Sequence, residues 1–344
     1  MKKRLIFVLV LSLVLMAFAG CGGGAEAPVD EDMGGVMTGL AVMTSAERSV
    51  AATAEEEGVA EAYSEVVAVT VDADGVITNC IIDAAQTKIM FDATGMLTSP
   101  MDSVFLGKLE IGDDYGMVGN SSIGKEWYEQ SDALSSYVIG MTADDVMAIA
   151  INEEGYPTDA DLTASVTMGV DAYLAAIVKA IENAQDLGAK ADDMLGVGLM
   201  TTMDKSVNAT AAEAGNAQAY SMYAAVTFDA DGVITSCILD GSQTNMGFDT
   251  TGVFTTDLAG PFETKNELGY AYGMKEYGPS SIGKEWNEQA AFFANYVIGK
   301  TVEEVNGIAI TEDGLAADAD LSAGITVHVG PFMTVIEKAY NMAK

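Results

Sequence analysis

The sequence predicts an α+β fold made by tandem duplication, in which each repeat has a twisted antiparallel sheet covered by helices. Two internal matches predict it. Residues 62–80 return as 219–237 with an offset of 157 residues, and the SSIGKEW motif at 121–127 returns at 280–286 with an offset of 159. This period is far longer than the roughly 20–50 residues of solenoid repeats. The duplicated unit is therefore a whole domain.

The N-terminal segment has the pattern of a secretion signal. Positive residues at 2–4 precede an apolar run at 5–16, and small residues follow. The run is shorter than the ~20 residues that a membrane-spanning helix needs. Residues 1–20 are therefore predicted to be a signal peptide.

The segment after the apolar run predicts a lipid anchor. Phe-Ala-Gly-Cys at 18–21 resembles a bacterial lipobox, which implies lipidation of Cys21. The Gly-rich, acidic residues at 21–35 then form a flexible tether. The predicted localisation is extracytoplasmic, on the cell membrane. An ordinary cleaved signal peptide with an incidental cysteine is the alternative.

Each repeat opens with a β-hairpin pattern. In the first repeat, β-rich segments at 66–71 and 76–82 flank Asp-Ala-Asp-Gly at 72–75, and the same turn returns at 229–232. The Asp-Gly pair favours a tight hairpin because glycine adopts the positive φ that such a turn requires.

Two amphipathic helices follow in each repeat, with apolar residues at helical spacing. They are predicted at 126–138, 170–184, 285–297 and 331–343. Pro331 suits a helix start because its missing N–H has no partner within the helix there. The predicted domains are 36–186 and 187–344, joined by a short polar segment.

Composition excludes several classes of function. The 344 residues include 51 acidic and 16 basic side chains, for a formal net charge of −35. Nucleic-acid binding needs a basic surface that displaces counterions, so we expect no nucleic-acid partner. One His and three Cys disfavour the usual zinc sites and histidine-based triads. Cys80 and Cys237, at equivalent strand positions, are predicted to be buried free thiols.

A polar segment precedes the last helix of each repeat. It reads Asp-Leu-Thr-Ala-Ser-Val-Thr from Asp161 to Thr167, and Asp-Leu-Ser-Ala-Gly-Ile-Thr from Asp320 to Thr326. A hydroxyl among small side chains, just before a helix N-terminus, suits a phosphate ester. An ordinary loop that enters a helix is the alternative.

These segments and the Asp-x-Asp-Gly-x-Ile-Thr hairpins resemble the FMN-binding domain family, whose pattern is Asp-x-x-Ser/Thr-Gly-Ala-Thr. The resemblance covers most of both repeats. It implies that an FMN transferase joins the FMN phosphate to the last threonine of the pattern. Here those residues are Thr167 and Thr326, and Asp161 and Asp320 begin the pattern.

The segments depart from the family pattern at three positions. Alanine replaces Ser/Thr in both repeats, at residues 164 and 323. Ser165 replaces the glycine that the second repeat keeps as Gly324, and Val166 and Ile325 replace alanine. These larger β-branched residues are expected to hinder the approach of a transferase or a flavin phosphate.

A second alignment of the pattern begins at Asp159 and Asp318. It places Ser165 and Gly324 at the acceptor position, where the glycine has no hydroxyl to esterify. Both alignments remain open, and so does flavin binding without a covalent bond.

The resemblance also gives roles to other recurring residues. Trp127 and Trp286 are candidates to stack on the flavin ring, with core packing as the alternative. Lys125 and Lys284 are candidates to neutralise the flavin phosphate, with an exposed ion pair as the alternative. The function implied is a membrane-tethered flavoprotein that carries electrons from a membrane dehydrogenase and is not itself an enzyme. The alternative is a non-catalytic ligand-binding or structural lipoprotein without covalent cofactor.

Overall fold

The computed structural model describes residues 35–278 and 280–344. The predicted signal peptide, Cys21 and all but the last residue of the predicted tether lie outside the described residues. Within the part described, no helix is both long and apolar enough to cross a membrane.

The first repeat forms a three-stranded antiparallel sheet in the order β1-β2-β3. Its strands are β1 (Met37–Ser45), β2 (Gly58–Val71) and β3 (Ile77–Phe91). The short strand β4 (Val104–Phe105) follows. The helices are α1 (Lys108–Ile111), α2 (Trp127–Tyr137), α3 (Ala143–Met147), α4 (Ala160–Thr163) and α5 (Asp171–Glu182), with a 3₁₀ turn at Gly112–Tyr115.

The second repeat forms a second antiparallel sheet, and the first repeat adds β4 to its edge in the order β4-β5-β6-β7. The strands are β5 (Met194–Thr202), β6 (Gly215–Phe228) and β7 (Ile234–Phe248). The helices are α6 (Lys265–Leu268), α7 (Trp286–Val297), α8 (Val302–Asn306), α9 (Ala319–Ser322) and α10 (Gly330–Asn341), with a 3₁₀ turn at Gly269–Tyr272. The predicted α+β class is confirmed.

Both predicted hairpin turns are present, and their aspartates explain them. The Asp72 carboxylate accepts hydrogen bonds from the backbone N–H groups of Asp74 and Val76, each at 2.9 Å. Gly75 supplies the positive φ of +77°. The strands extend well beyond the apolar runs seen in sequence, because they continue through buried polar residues such as Glu61 and Asp83.

The molecule has four layers, helix–sheet–sheet–helix. Alternate residues of β2 face opposite ways. Val67 and Val69 pack under the helices of their own repeat. Val66 and Ala68 pack against the second sheet, including Leu195 of β5. Both sheets are therefore buried on both faces, and the two repeats share one compact unit.

The repeats meet as the two halves of a symmetric dimer would. The equivalent residues Phe91 and Phe248 stack on each other, with ring centroids 4.3 Å apart. Ala52 donates its backbone N–H to the Gly252 carbonyl at 3.0 Å, and Ala209 donates to the Gly95 carbonyl at 2.8 Å. Reciprocal contacts between equivalent positions define an isologous interface.

Candidate functional site

The two threonine segments have the same local structure. A single helical turn, α4 or α9, begins each of them. The Asp159 carboxylate caps α4 by accepting from the backbone N–H groups of Asp161 and Leu162, and Asp318 caps α9 in the same way. The aspartates of the second alignment are therefore helix caps. Asp161 and the equivalent Asp320 are exposed in the first turns of these helices.

A fully buried glutamine holds the first threonine segment. The Oε1 atom of Gln130 accepts from the Thr167 backbone N–H at 2.8 Å and from the Thr167 hydroxyl at 3.2 Å. Its Nε2 atom donates to the Ser121 hydroxyl at 3.1 Å and to the Lys125 carbonyl at 3.2 Å. Gln130 thus ties the SSIGKEW loop to the threonine loop and satisfies its own buried amide.

The second repeat reproduces this arrangement with Gln289. Its Oε1 atom accepts from the Thr326 N–H at 2.7 Å and from the Thr326 hydroxyl at 3.2 Å. Its Nε2 atom donates to the Lys284 carbonyl at 3.1 Å and to the Ser280 hydroxyl at 3.4 Å. Sequence reasoning missed both glutamines, although their recurrence at the offset of 159 was a signal that could have found them.

Thr167 and Thr326 are half-buried, whereas the residues just before them are buried. The side chains of Val166 and Ile325 are 1 % and 2 % exposed and belong to the helix–sheet cores. They therefore lie in the interior and not on the surface from which a ligand approaches. The Ser165 hydroxyl donates to the Leu162 carbonyl at 3.2 Å.

Gly324 sits beneath an aromatic ring. A Cβ atom at this position would lie 2.2 Å from the Phe292 ring, so a larger residue would require the ring to move. The Lys284 ammonium lies 4.8 Å from the centroid of the same ring. In the second repeat, Lys284 and Phe292 therefore cover the segment just before Thr326.

The two tryptophans lie in the core, each 3 % exposed. Trp127 packs near Tyr173 with ring centroids 6.1 Å apart, and Trp286 packs near Phe332 at 5.7 Å. In this structure their rings contact other core side chains. Lys125 is half-buried and lies on the loop that Gln130 clamps.

A feature that sequence reasoning missed is a pair of buried lysines in aromatic cages. Lys108 and Lys265, at equivalent positions, are 3 % and 2 % exposed. The Lys108 ammonium lies 4.6, 4.5 and 5.0 Å from the ring centroids of Tyr63, Tyr115 and Trp127. It also donates to the Tyr63 hydroxyl at 2.7 Å. Such contacts between a cation and ring faces stabilise the ammonium.

The Lys265 cage has the same composition, with Tyr220, Tyr272 and Trp286 at 4.4, 5.1 and 4.7 Å. Burial lowers the pKa of Lys108 and of Lys265 to about 7. Their recurrence at the offset of 157, in a chain poor in cations, was the available sequence signal.

The two cages differ in their acidic neighbours. Burial raises the pKa of Glu65 to about 7 and that of Asp83 to about 6, and both carboxyls act electrostatically on Lys108. In the second repeat, Met222 replaces Glu65, while Asp240 remains, with a pKa raised by burial to about 6. The first cage is thus the more strongly charged.

The remaining candidates carry little chemistry. Cys80 and Cys237 are free and buried, as predicted, and burial raises the pKa of Cys80 to about 12. His328 is exposed. Across residues 35–278 and 280–344, no group of three or more His, Cys, Asp or Glu side chains is placed to hold a metal ion.

Comparison with known proteins identifies similarity in one short segment of the chain. The chain matches no known protein family and no solved structure. Over 44 residues it is 57 % identical to a protein named "Chlorophenol reductase" from Desulfitobacterium hafniense. This match covers 13 % of each of the two proteins, so it shows similarity of one short segment.

Proposed function

We propose that this protein is a membrane-tethered, extracytoplasmic flavoprotein that carries electrons, with FMN held at Thr167 and Thr326. The observation that carries the proposal is the repetition of one arrangement, in which a buried glutamine fixes each threonine in the same way. The partners are an FMN transferase, which loads the chain, and a membrane dehydrogenase, which supplies electrons. The lipid on Cys21 is the proposed tether.

The residues present at each loop fit an ester-linked phosphate. Each threonine is half-buried, so the residue lies at the edge of the fold. After esterification the oxygen no longer donates a proton, but the glutamine Oε1 keeps the backbone N–H of the same threonine as its partner, at 2.8 Å for Thr167. The loop geometry therefore survives the reaction. The helices α5 and α10 begin a few residues later and orient N–H groups that favour an anion.

When bound, FMN supplies chemistry that transfers one or two electrons. The chain itself positions the attachment point through Gln130 and Gln289. Lys125 and Lys284, on the clamped loops, are the cations available to offset phosphate charge. The acidic surface favours a basic partner, because complementary charge speeds encounter.

The test is the intact mass of the full chain co-expressed with a flavin transferase. We expect two FMN increments in the natural chain, one in Thr167→Ala or Thr326→Ala, and none in the double variant, which also loses its yellow colour after denaturation. Thr163→Ala and Ser322→Ala are matched controls, because these hydroxyls lie in the same segments but bond only to local carbonyls at 3.2 Å. Colour that survives denaturation in the double variant would contradict the proposed attachment sites.

A non-catalytic lipoprotein is the second candidate. Two observations favour it. The hydroxyls of both threonines already donate hydrogen bonds to buried glutamines, and the Phe292 ring covers Gly324. A folded chain that keeps its unmodified mass and stays colourless in the presence of an active transferase would support this candidate.

A further inference from the structure

A cleft of about 680 Å³ opens on the first repeat at the end of α2. The residues that line it include Tyr137, Met141 and the acidic residues Asp145 and Asp159. Ligand sites in proteins commonly have volumes of about 300–1,000 Å³, so the cleft has room for a small molecule or a side chain of a partner. It does not include either proposed FMN attachment residue.

The second repeat shows what fits against this ring. Tyr296, Glu304 and Asp318 are the equivalents of Tyr137, Asp145 and Asp159, but Lys300 replaces Met141. The Lys300 ammonium lies 4.7 Å from the centroid of the Tyr296 ring. The chain therefore places its own ammonium group over the aromatic ring in one repeat, whereas the equivalent tyrosine lines a cleft in the other.

The backbone at this position is held in the same way in both repeats. The Met141 carbonyl accepts from the Ile77 N–H at 2.9 Å, and the Lys300 carbonyl accepts from the Ile234 N–H at the same distance. The N–H groups of Met141 and Lys300 also make equivalent bonds, each at 3.1 Å, to the residue three positions earlier. Exchange of the two side chains therefore leaves the backbone contacts intact.

The charge around the cleft suits a cation. The Asp145 carboxylate accepts from the Thr142 backbone and hydroxyl through Oδ2, and Asp159 caps α4 through Oδ1. Among the described residues, neither carboxylate forms an ion pair. Two carboxylate residues therefore line the same cleft as an aromatic residue, and the quadrupole of an aromatic ring attracts cations to its face.

We propose that this cleft binds an organic ammonium group, which lies over the Tyr137 ring between Asp145 and Asp159, as Lys300 does internally in the second repeat. The group belongs to a small free amine or to a lysine side chain of a partner protein. This site is independent of the proposed FMN sites, and its test does not require flavin.

The experiment is ligand-observed NMR with the purified full chain and tetramethylammonium chloride, against sodium chloride at equal ionic strength. We expect saturable binding at one site. Met141→Lys should weaken it at least tenfold, because the new ammonium competes for the Tyr137 ring as Lys300 occupies that of Tyr296. Lys300→Met should raise the number of sites from one to two. Circular dichroism and thermal melts check that both variants remain folded.

A second set of titrations distinguishes the two sources of the ammonium. n-Butylamine represents a free amine, and a blocked Gly-Lys-Gly peptide, compared with its norleucine analogue, represents a protein side chain. A lysine peptide that binds at least tenfold more tightly than n-butylamine identifies a partner protein, and equal affinities identify a small amine. Absence of saturable binding, unchanged binding by Met141→Lys, or no second site in Lys300→Met would overturn the proposal.

Discussion

The two buried lysines share one aromatic cage design but differ in the charge around it. The Arg48 guanidinium and three carboxyls, those of Glu65, Asp83 and Glu61, act electrostatically on Lys108. Lys265 has Asp240, and an apolar Met222 stands in place of Glu65. The two cages have in common three rings, one tyrosine hydroxyl bond and one buried aspartate, and this set holds the lysine in either repeat. The glutamate is therefore not required for the cage. We expect it to make the stability of the first repeat depend more strongly on its lysine and on pH.

The largest expected effect comes from removal of one lysine. Lys108→Met removes a buried ammonium that acts electrostatically on Glu65 and Asp83, and at pH 6, below the lysine pKa of about 7, we expect a loss of about 3 kcal/mol in the free energy of unfolding, the low end of the cost of breaking a buried charge pair. Lys265→Met leaves one such carboxyl and should cost clearly less. Urea unfolding of the two variants measures the difference. Equal losses would show that Glu65 does not distinguish the cages.

The next effect is on the pH dependence of stability. The pKa of Glu65 is about 7 in the folded protein and 4.5 in its ordinary state. The folded state thus keeps a proton that the unfolded chain releases, so this stabilisation is full below pH 4.5 and is lost as pH rises through 7. At ~1.4 kcal/mol per pKa unit, Glu65→Met should remove about 3 kcal/mol of this decline.

The converse substitution, Met222→Glu, is the matched control for the pH experiment. It gives the second cage the glutamate of the first, and it should steepen the decline of stability between pH 4.5 and 7. Urea unfolding across this range measures both variants. A profile that neither substitution changes would mean that Glu65 ionises normally in the folded protein.

The smallest of the three effects tests a feature that the repeats share. Gln130→Ala leaves the Thr167 N–H without its buried acceptor, and the loss of stability should be about 2 kcal/mol, since an unsatisfied buried group costs about 1–3 kcal/mol. Gln289→Ala should cost the same, because the bonds that the two glutamines make differ by no more than 0.3 Å. Gln243→Ala, at a half-buried strand position whose side chain makes no hydrogen bond to the described residues, is the control. Unequal losses would show that the two clamps differ in strength.

The sequence predicted more of the fold than of the site. The hairpin turns and the main helices were predictable because an Asp-Gly turn and a helical spacing act over a few residues. Strand β1 and the polar halves of β2 and β3 were not predicted, because burial on both faces removes the alternation that marks a half-exposed strand. Val166 shows the same limit at the site, since only the packing of the core reveals that its side chain faces inward.

The sequence by itself determined the duplication, the turns, the helices and the acidic character of this protein, since these follow from residue identity and local spacing. The tertiary structure decided which residues meet. Gln130 reaches Thr167 across 37 positions, Lys108 enters a cage with Tyr63 from 45 positions away, and Phe91 finds its own equivalent in the other repeat. Such contacts depend on how whole layers pack, and packing joins residues that no local pattern relates.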